Sequence, residues 1–173
     1  MKKKSIIIIV FTSFLLLAGV VFYTFVQYSN PIQIDGGSWT TEGKKEIVYQ
    51  FYNKGLRRIT IKEVTVNHGK KPNGLALGIS YGGRLVQPVT DDPDDQWGRI
   101  KFVKIDAVPV YPRLNPNEIN EAIHRKDNTL IYYGIKMEYK EPIQSITVKY
   151  TYFGLPVTKK IKLESWGFWN VEN

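Results

Sequence analysis

Two hydrophobic patterns divide this chain. Ser5 to Val26 is an apolar run without a charged residue, and a helix of about 20 such residues spans a hydrocarbon core of ~30 Å. Past residue 44 the apolar positions recur at every second residue, the period of a strand with one covered face. In "KEIVYQFY" they set Ile47, Tyr49 and Phe51 on one side. "NKG", Asn53 to Gly55, predicts a turn. "RRITIKEVTV" resumes the alternation at Ile59 and Ile61, then shifts phase to Val64 and Val66. That shift predicts a β-bulge at Lys62-Glu63.

"LALGISY", a Gly82-Gly83 turn and "RLVQPV" predict a hairpin. "GRIKFVKIDAV" predicts a further strand, broken by Pro109 and Pro112. "TLIYYGIKMEY" places Ile131, Tyr133, Ile135, Met137 and Tyr139 on one face. "SITVKYTYF" and "VTKKIKLE" flank Gly154-Leu155-Pro156 as a second hairpin. Tyr132, Tyr150 and Tyr152 are candidates for outward-facing strand tyrosines. "NPNEINEAIHRKDN" carries helix signals: Asn115 as N-cap, Pro116 at N1, Glu118 at N3 for a capping box, and an apolar stripe of Ile119, Ala122 and Ile123. Seven or eight short strands with one connecting helix predict an all-β antiparallel β-sandwich. Strands do not alternate with long helices, which disfavours a parallel α/β sheet. Three segments are expected: a signal-anchor transmembrane helix over 1–26, a tether over 27–43 with breakers at Asn30-Pro31 and Gly36-Gly37, and the sandwich over 44–173.

The stretch from Val48 to Asn67, "VYQFYNKGLRRITIKEVTVN", resembles bacterial membrane-anchored extracytoplasmic immunoglobulin-like domains. In those domains a strand ends in an aromatic residue, an Asn-x-Gly turn follows, and a paired strand carries I-x-I-x-x-V-x-V. The likeness covers about twenty residues closely and 44–165 by strand rhythm. This chain departs from antibody-type domains in having no cysteine pair and no core tryptophan between them. The resemblance implies a sandwich used for display or binding, and it implies no chemistry.

Composition narrows the function classes. With 173 residues and no cysteine, the chain folds without disulfides and has no thiolate nucleophile, Cys-based zinc site or lipid-modified cysteine. Lys2, Lys3 and Lys4 precede the apolar run, which predicts a cytoplasmic N-terminus and an extracytoplasmic C-terminal domain in a single-pass cell-membrane protein. Tyr23 and Tyr28 sit where an aromatic belt would end the span. A cleaved signal peptide is the rival, but its apolar region is usually about 7–15 residues and ends in small residues, unlike "FYTFVQYSN". The formal charge is +8. Without the three leading lysines, 21 basic residues face 16 acidic ones. A soluble surface of mixed charge accounts for that excess, and a net charge of that sign also suits anionic envelope polymer or lipid headgroups. No nucleic-acid-reading motif is present.

Four motifs invite chemistry. "GISYG", Gly78 to Gly82, fits G-x-S-x-G, in which Ser80 would be a nucleophile on a strand-to-helix elbow with His124 as base. The segment after it reads as a strand, so a hairpin is the expected context. His68 and His124 have no metal-ligand spacing. "DDPDD" gathers Asp91, Asp92, Asp94 and Asp95, which could supply oxygens to calcium. It lacks the EF-hand pattern, and Pro93 holds its neighbours extended, so a solvated loop is expected. Trp166, Phe168 and Trp169 near the C-terminus either seal the sandwich or contact a partner. The resulting expectation is a non-catalytic, cofactor-free binding or accessory module of a bacterial envelope, held to the membrane through residues 5–26. Its partner is a protein or an anionic polymer and not nucleic acid. The alternatives are an envelope serine hydrolase using Ser80 and His124, and a structural subunit of a membrane complex.

Overall fold

The computed structural model describes residues 3–39, 46–88, 100–126 and 128–163. The chain divides into two units, Met1–Asn30 and Pro31–Asn173. The first is helix α1, Lys3–Tyr28. It is long and apolar enough to cross a membrane by length and composition, about 39 Å at 1.5 Å per residue. Its last turn is closed by Ser29, whose amide and hydroxyl both donate to the Phe25 carbonyl, at 2.8 and 2.7 Å.

The second unit holds two antiparallel sheets with eight strands among the described residues. One sheet has the order β1-β2-β6-β4-β5 and the other β3-β7-β8. The first sheet contains β1 (Ile32–Trp39), β2 (Glu46–Asn53), β4 (Asn73–Ser80), β5 (Ile100–Val103) and β6 (Tyr132–Glu138). The second contains β3 (Ile59–Val66), β7 (Ser145–Tyr152) and β8 (Leu155–Lys162). The alternation legible in the sequence builds the core: Ile47, Tyr49 and Phe51 from β2, Tyr133, Ile135 and Met137 from β6, and Ile61, Val64 and Val148 from the second sheet are all buried. The phase shift in β3 is a register break between Ile61 and Glu63, where the bulge was expected. Helix α2, Pro116–Arg125, carries the full capping box of Asn115 and Glu118.

Three expectations change. The stretch taken as a tether contains β1, which pairs with β2 from Ile32↔Asn53 to Trp39↔Ile47. Its glycines do not break the strand. The register slips between Ile34 and Gly36, and Gly36 takes φ +142°, so a bulge on an edge strand absorbs them. The two-sheet unit thus begins near residue 31 rather than 44. Within "RLVQPV", residues 84–88 do not form a strand, because β4 pairs with β5 and β6 on its two sides and leaves no edge for them. Tyr150 and Tyr152 are 1% and 2% exposed: both belong to the core. Pairing Tyr150 with Ile61 and Tyr152 with Ile59 puts them on the buried side.

Residues 84–88 instead cross the outer face of the five-stranded sheet as a strap. Gly78 and Gly134 are register partners, so two side chains are missing side by side on that face. Val86 fills the notch and is 0% exposed. Burying a valine this fully contributes about 1.5–3 kcal/mol. The strap is tied at three points. Ser80 Oγ donates to the Arg84 carbonyl at 2.7 Å, the Gln50 amide donates to the Val86 carbonyl, and Lys136 Nζ reaches the Pro88 carbonyl at 3.5 Å. Lys136 also pairs with Glu46 at 2.9 Å and stands 4.9 Å from the Phe102 ring centre. Both faces of β2 and β6 are therefore covered.

In the second sheet only one side is dry. Thr60, Thr147, Lys149, Thr151, Thr158 and Lys160 alternate with the core residues, as a half-solvated antiparallel sheet requires. On the edge strand β8, Pro156 is second in the strand, and Lys159 stands opposite buried Val148.

A Cβ added at Gly134 would lie 2.6 Å from Val48 Cγ1 and 3.0 Å from Val86 Cβ. Gly134→Ala should therefore lower stability by about 1–3 kcal/mol through overpacking, read as a lower urea midpoint of the detergent-solubilised chain. An unchanged midpoint would contradict the notch. A second expectation concerns alkali. Burial pushes the phenols of Tyr49, Tyr133 and Tyr150 up to about 12, against about 10 in an unfolded chain. The unfolded state loses these protons first, so their contribution is complete below pH ~10 and falls as pH rises toward 12. Absorbance at 295 nm should show these phenols ionising only together with loss of the circular dichroism of the sheets. Complete phenol titration near pH 10 with the sheets intact would refute this.

Candidate functional site

Among the described residues, an organised exposed feature of the two-sheet unit is the loop after β2, residues 54–58. It is built by Asn53, the last residue of β2, which is 0% exposed. Asn53 Oδ1 accepts the Gly55 amide at 2.8 Å, and Nδ2 donates to the carbonyls of Arg57 at 2.8 Å and Val110 at 3.1 Å. Its own carbonyl accepts the Arg113 amide at 2.8 Å. One side chain thus sets the start of the loop, its exit and the neighbouring segment. An asparagine can do this because it carries a donor and an acceptor on one short, planar group. The next segment adds backbone bonds: Ile59 and Val110 exchange hydrogen bonds at 2.9 and 2.8 Å.

Two further contacts hold the loop. The Lys54 amide donates to the Pro31 carbonyl at 2.8 Å, and the Leu56 amide donates to the Tyr152 hydroxyl at 3.1 Å. Gly55 is a steric requirement, since a Cβ there would meet both Pro31 Cβ and the Tyr152 hydroxyl at 2.8 Å. The side chains held out by this frame are Lys54, Leu56, Arg57 and Arg58, all exposed, with Leu56 at 77%. No ion pair among the described residues engages the three cations. Close by, Arg113 stacks on Tyr52 at 4.5 Å and lies 3.9 Å from Asp35. These residues line a small cavity of about 20 Å³ with Leu85 and Tyr132, room for about one water.

The motif residues have other roles. Ser80 is buried in β4 of an antiparallel sheet, and its hydroxyl bonds the Arg84 carbonyl and the backbone of Gly82. "GISYG" thus works as strap anchor and glycine notch. His124 is exposed at the end of α2, with Nδ1 2.7 Å from the Asn120 carbonyl, so the structure does not join it to Ser80. No group of three or more metal-ligating side chains exists among the described residues. Asp91, Asp92, Asp94 and Asp95, like Trp166, Phe168 and Trp169, lie outside the described residues. An open cleft of about 770 Å³ is lined by Tyr81, Ile100, Lys101, Val108, Asn128 and Leu130.

The loop was legible only as a turn. The signal that could have singled it out is a leucine set among three cations in a segment too short to bury it. No protein-family model, curated protein or solved structure matches this chain.

Asn53→Ala removes three hydrogen bonds and leaves buried partners unpaired, which costs about 1–3 kcal/mol. Asn53→Asp discriminates further. It keeps the acceptor for Gly55 but turns an oxygen toward the carbonyls of Arg57 and Val110. The new carboxyl should be held above the ordinary aspartate range, about 3.9, because only its protonated form can donate. The Asp variant should then be most stable at low pH and lose stability as pH rises. Denaturant midpoints at two pH values check it. An Asp variant as stable as the parent at neutral pH would overturn the assigned roles of the two amide atoms.

Proposed function

We propose that this chain is an anchored protein of a bacterial envelope, with an extracytoplasmic immunoglobulin-like module that acts by binding and not by catalysis. The observation that carries the anchoring is α1, uncharged from Ser5 to its end at Tyr28, with Lys2 to Lys4 clustered at its start. Cations on that side favour a cytoplasmic N-terminus. The immunoglobulin-like reading is supported by two antiparallel sheets, five- and three-stranded, between which the chain passes from β2 to β3, from β3 to β4 and from β6 to β7. The binding reading is supported by where the polar chemistry sits. Ser80 is committed to the strap, whereas the exposed and rigidly framed groups are those of the 54–58 loop.

The absence of cysteine makes the orientation directly measurable. A single cysteine at Lys71, which is exposed, should react with a membrane-impermeant maleimide in intact, wall-stripped cells. The labelled chain should keep its full length and remain in the membrane after alkaline washing. Labelling only after lysis would reverse the orientation. A soluble fragment starting near residue 30 would show that α1 is removed.

A further inference from the structure

We propose that residues 54–58 are a lipid-contacting element, which seats on anionic headgroups of the leaflet from which α1 emerges. The proposal rests on reading α1 as a membrane anchor. Its first support is chain length. α1 ends at Tyr28, and Pro31 follows three residues later, at most about 11 Å along an extended chain. The loop is bonded to that same residue through the Lys54 amide and the Pro31 carbonyl, at 2.8 Å. Three residues of chain thus separate the end of the span from the residue to which the loop is bonded.

Its composition suits that position. Lys54, Arg57 and Arg58 are exposed cations without an acidic partner among the described residues, and Leu56 stands between them, 77% exposed. Cations beside an apolar side chain are the chemistry of interfacial binding: the charges meet headgroup phosphates and the leucine enters the acyl boundary. The loop is also prepared in shape. The Asn53 amide and the Tyr152 hydroxyl fix its backbone, and little conformational freedom remains to be lost on contact. The bond from the Leu56 amide to the Tyr152 hydroxyl holds the main chain at the position from which Leu56 projects. An anionic polymer beyond the membrane would suit a cationic loop at any point of the domain. Contact with lipid calls for a loop tied to the chain within a few residues of the span, as this one is through Pro31.

The test uses the full chain in vesicles of phosphatidylcholine with and without phosphatidylglycerol. Leu56→Cys carries an environment-sensitive fluorophore in place of the leucine, and Lys71→Cys is the control. β3 separates the two sites, since it carries the chain about 23 Å from Ile59 to Val66. In anionic vesicles the probe at 56 should shift to the blue and be quenched by spin-labelled lipid, and the probe at 71 should not. Each cation near an anionic surface strengthens contact about fivefold. Replacing Lys54, Arg57 and Arg58 together by Gln should therefore weaken it about a hundredfold and return the probe to water. A probe at 56 that reports water in both vesicles, while the chain still floats with them after alkaline washing, overturns the lipid contact and leaves the anchor standing. A chain that washes free of the vesicles overturns both. Protection of position 56 only when anionic wall polymer is added would overturn the lipid contact in favour of the polymer.

Discussion

The side-chain amide of Asn53 is the constraint on which one whole end of the two-sheet unit depends. It belongs to the five-stranded sheet, yet it bonds the loop that leads into the three-stranded sheet and the segment that runs past both. Sheets that touch only through apolar side chains can slide, because burial has no direction. Hydrogen bonds to fixed carbonyls cannot be kept during a slide. With Ile59 and Val110 exchanging backbone bonds beside it, Asn53 converts a hydrophobic contact into a defined register. The price is a buried polar group, and it is met by satisfying both ends of the amide.

The strap solves a different problem. A five-stranded sheet that buries one face in a core leaves its other face open to water unless something covers it. Here Val48, Gln50, Gly78 and Gly134 on that face are roofed by 84–88 instead. Two neighbouring glycines weaken a strand when nothing else approaches. In this sheet they admit a second layer of backbone, which then takes hydrogen bonds from Ser80 and Gln50. Lys136, paired with Glu46 and largely buried with it, reaches the Pro88 carbonyl at the far end of the strap.

Much of this fold can be read from the sequence, for a physical reason. Period-two alternation, the bulge after Ile61 and the capping box of α2 are local patterns, set by residues within a few positions of one another. What escaped was non-local. Nothing in "RLVQPV" distinguishes a strand from a strap, because both need apolar residues at intervals, and the difference lies in Gly78 and Gly134, 56 residues apart. Gly36-Gly37 read as a breaker because the partner that tolerates a bulged edge is another strand. Tyr150 and Tyr152 could be placed outside only while their face was unknown. In the candidate site the turn was visible from "NKG". The roles of Asn53 in fixing Arg57 and Val110 depend on a segment more than fifty residues downstream.

The edge strand β8 carries a consequence for how copies of this chain tolerate one another. If α1 anchors the chain as proposed, copies share one plane, and unpaired strand edges would meet again and again. Such encounters promote end-on sheet extension from one molecule to the next. In β8, Pro156 removes a donor near the start of that edge, and Lys159 stands on the core side opposite Val148. A neighbour adding a strand there would have to forgo a hydrogen bond and desolvate an ammonium group. Crowding in two dimensions then raises the encounter rate without raising the rate of fusion into a continuous sheet.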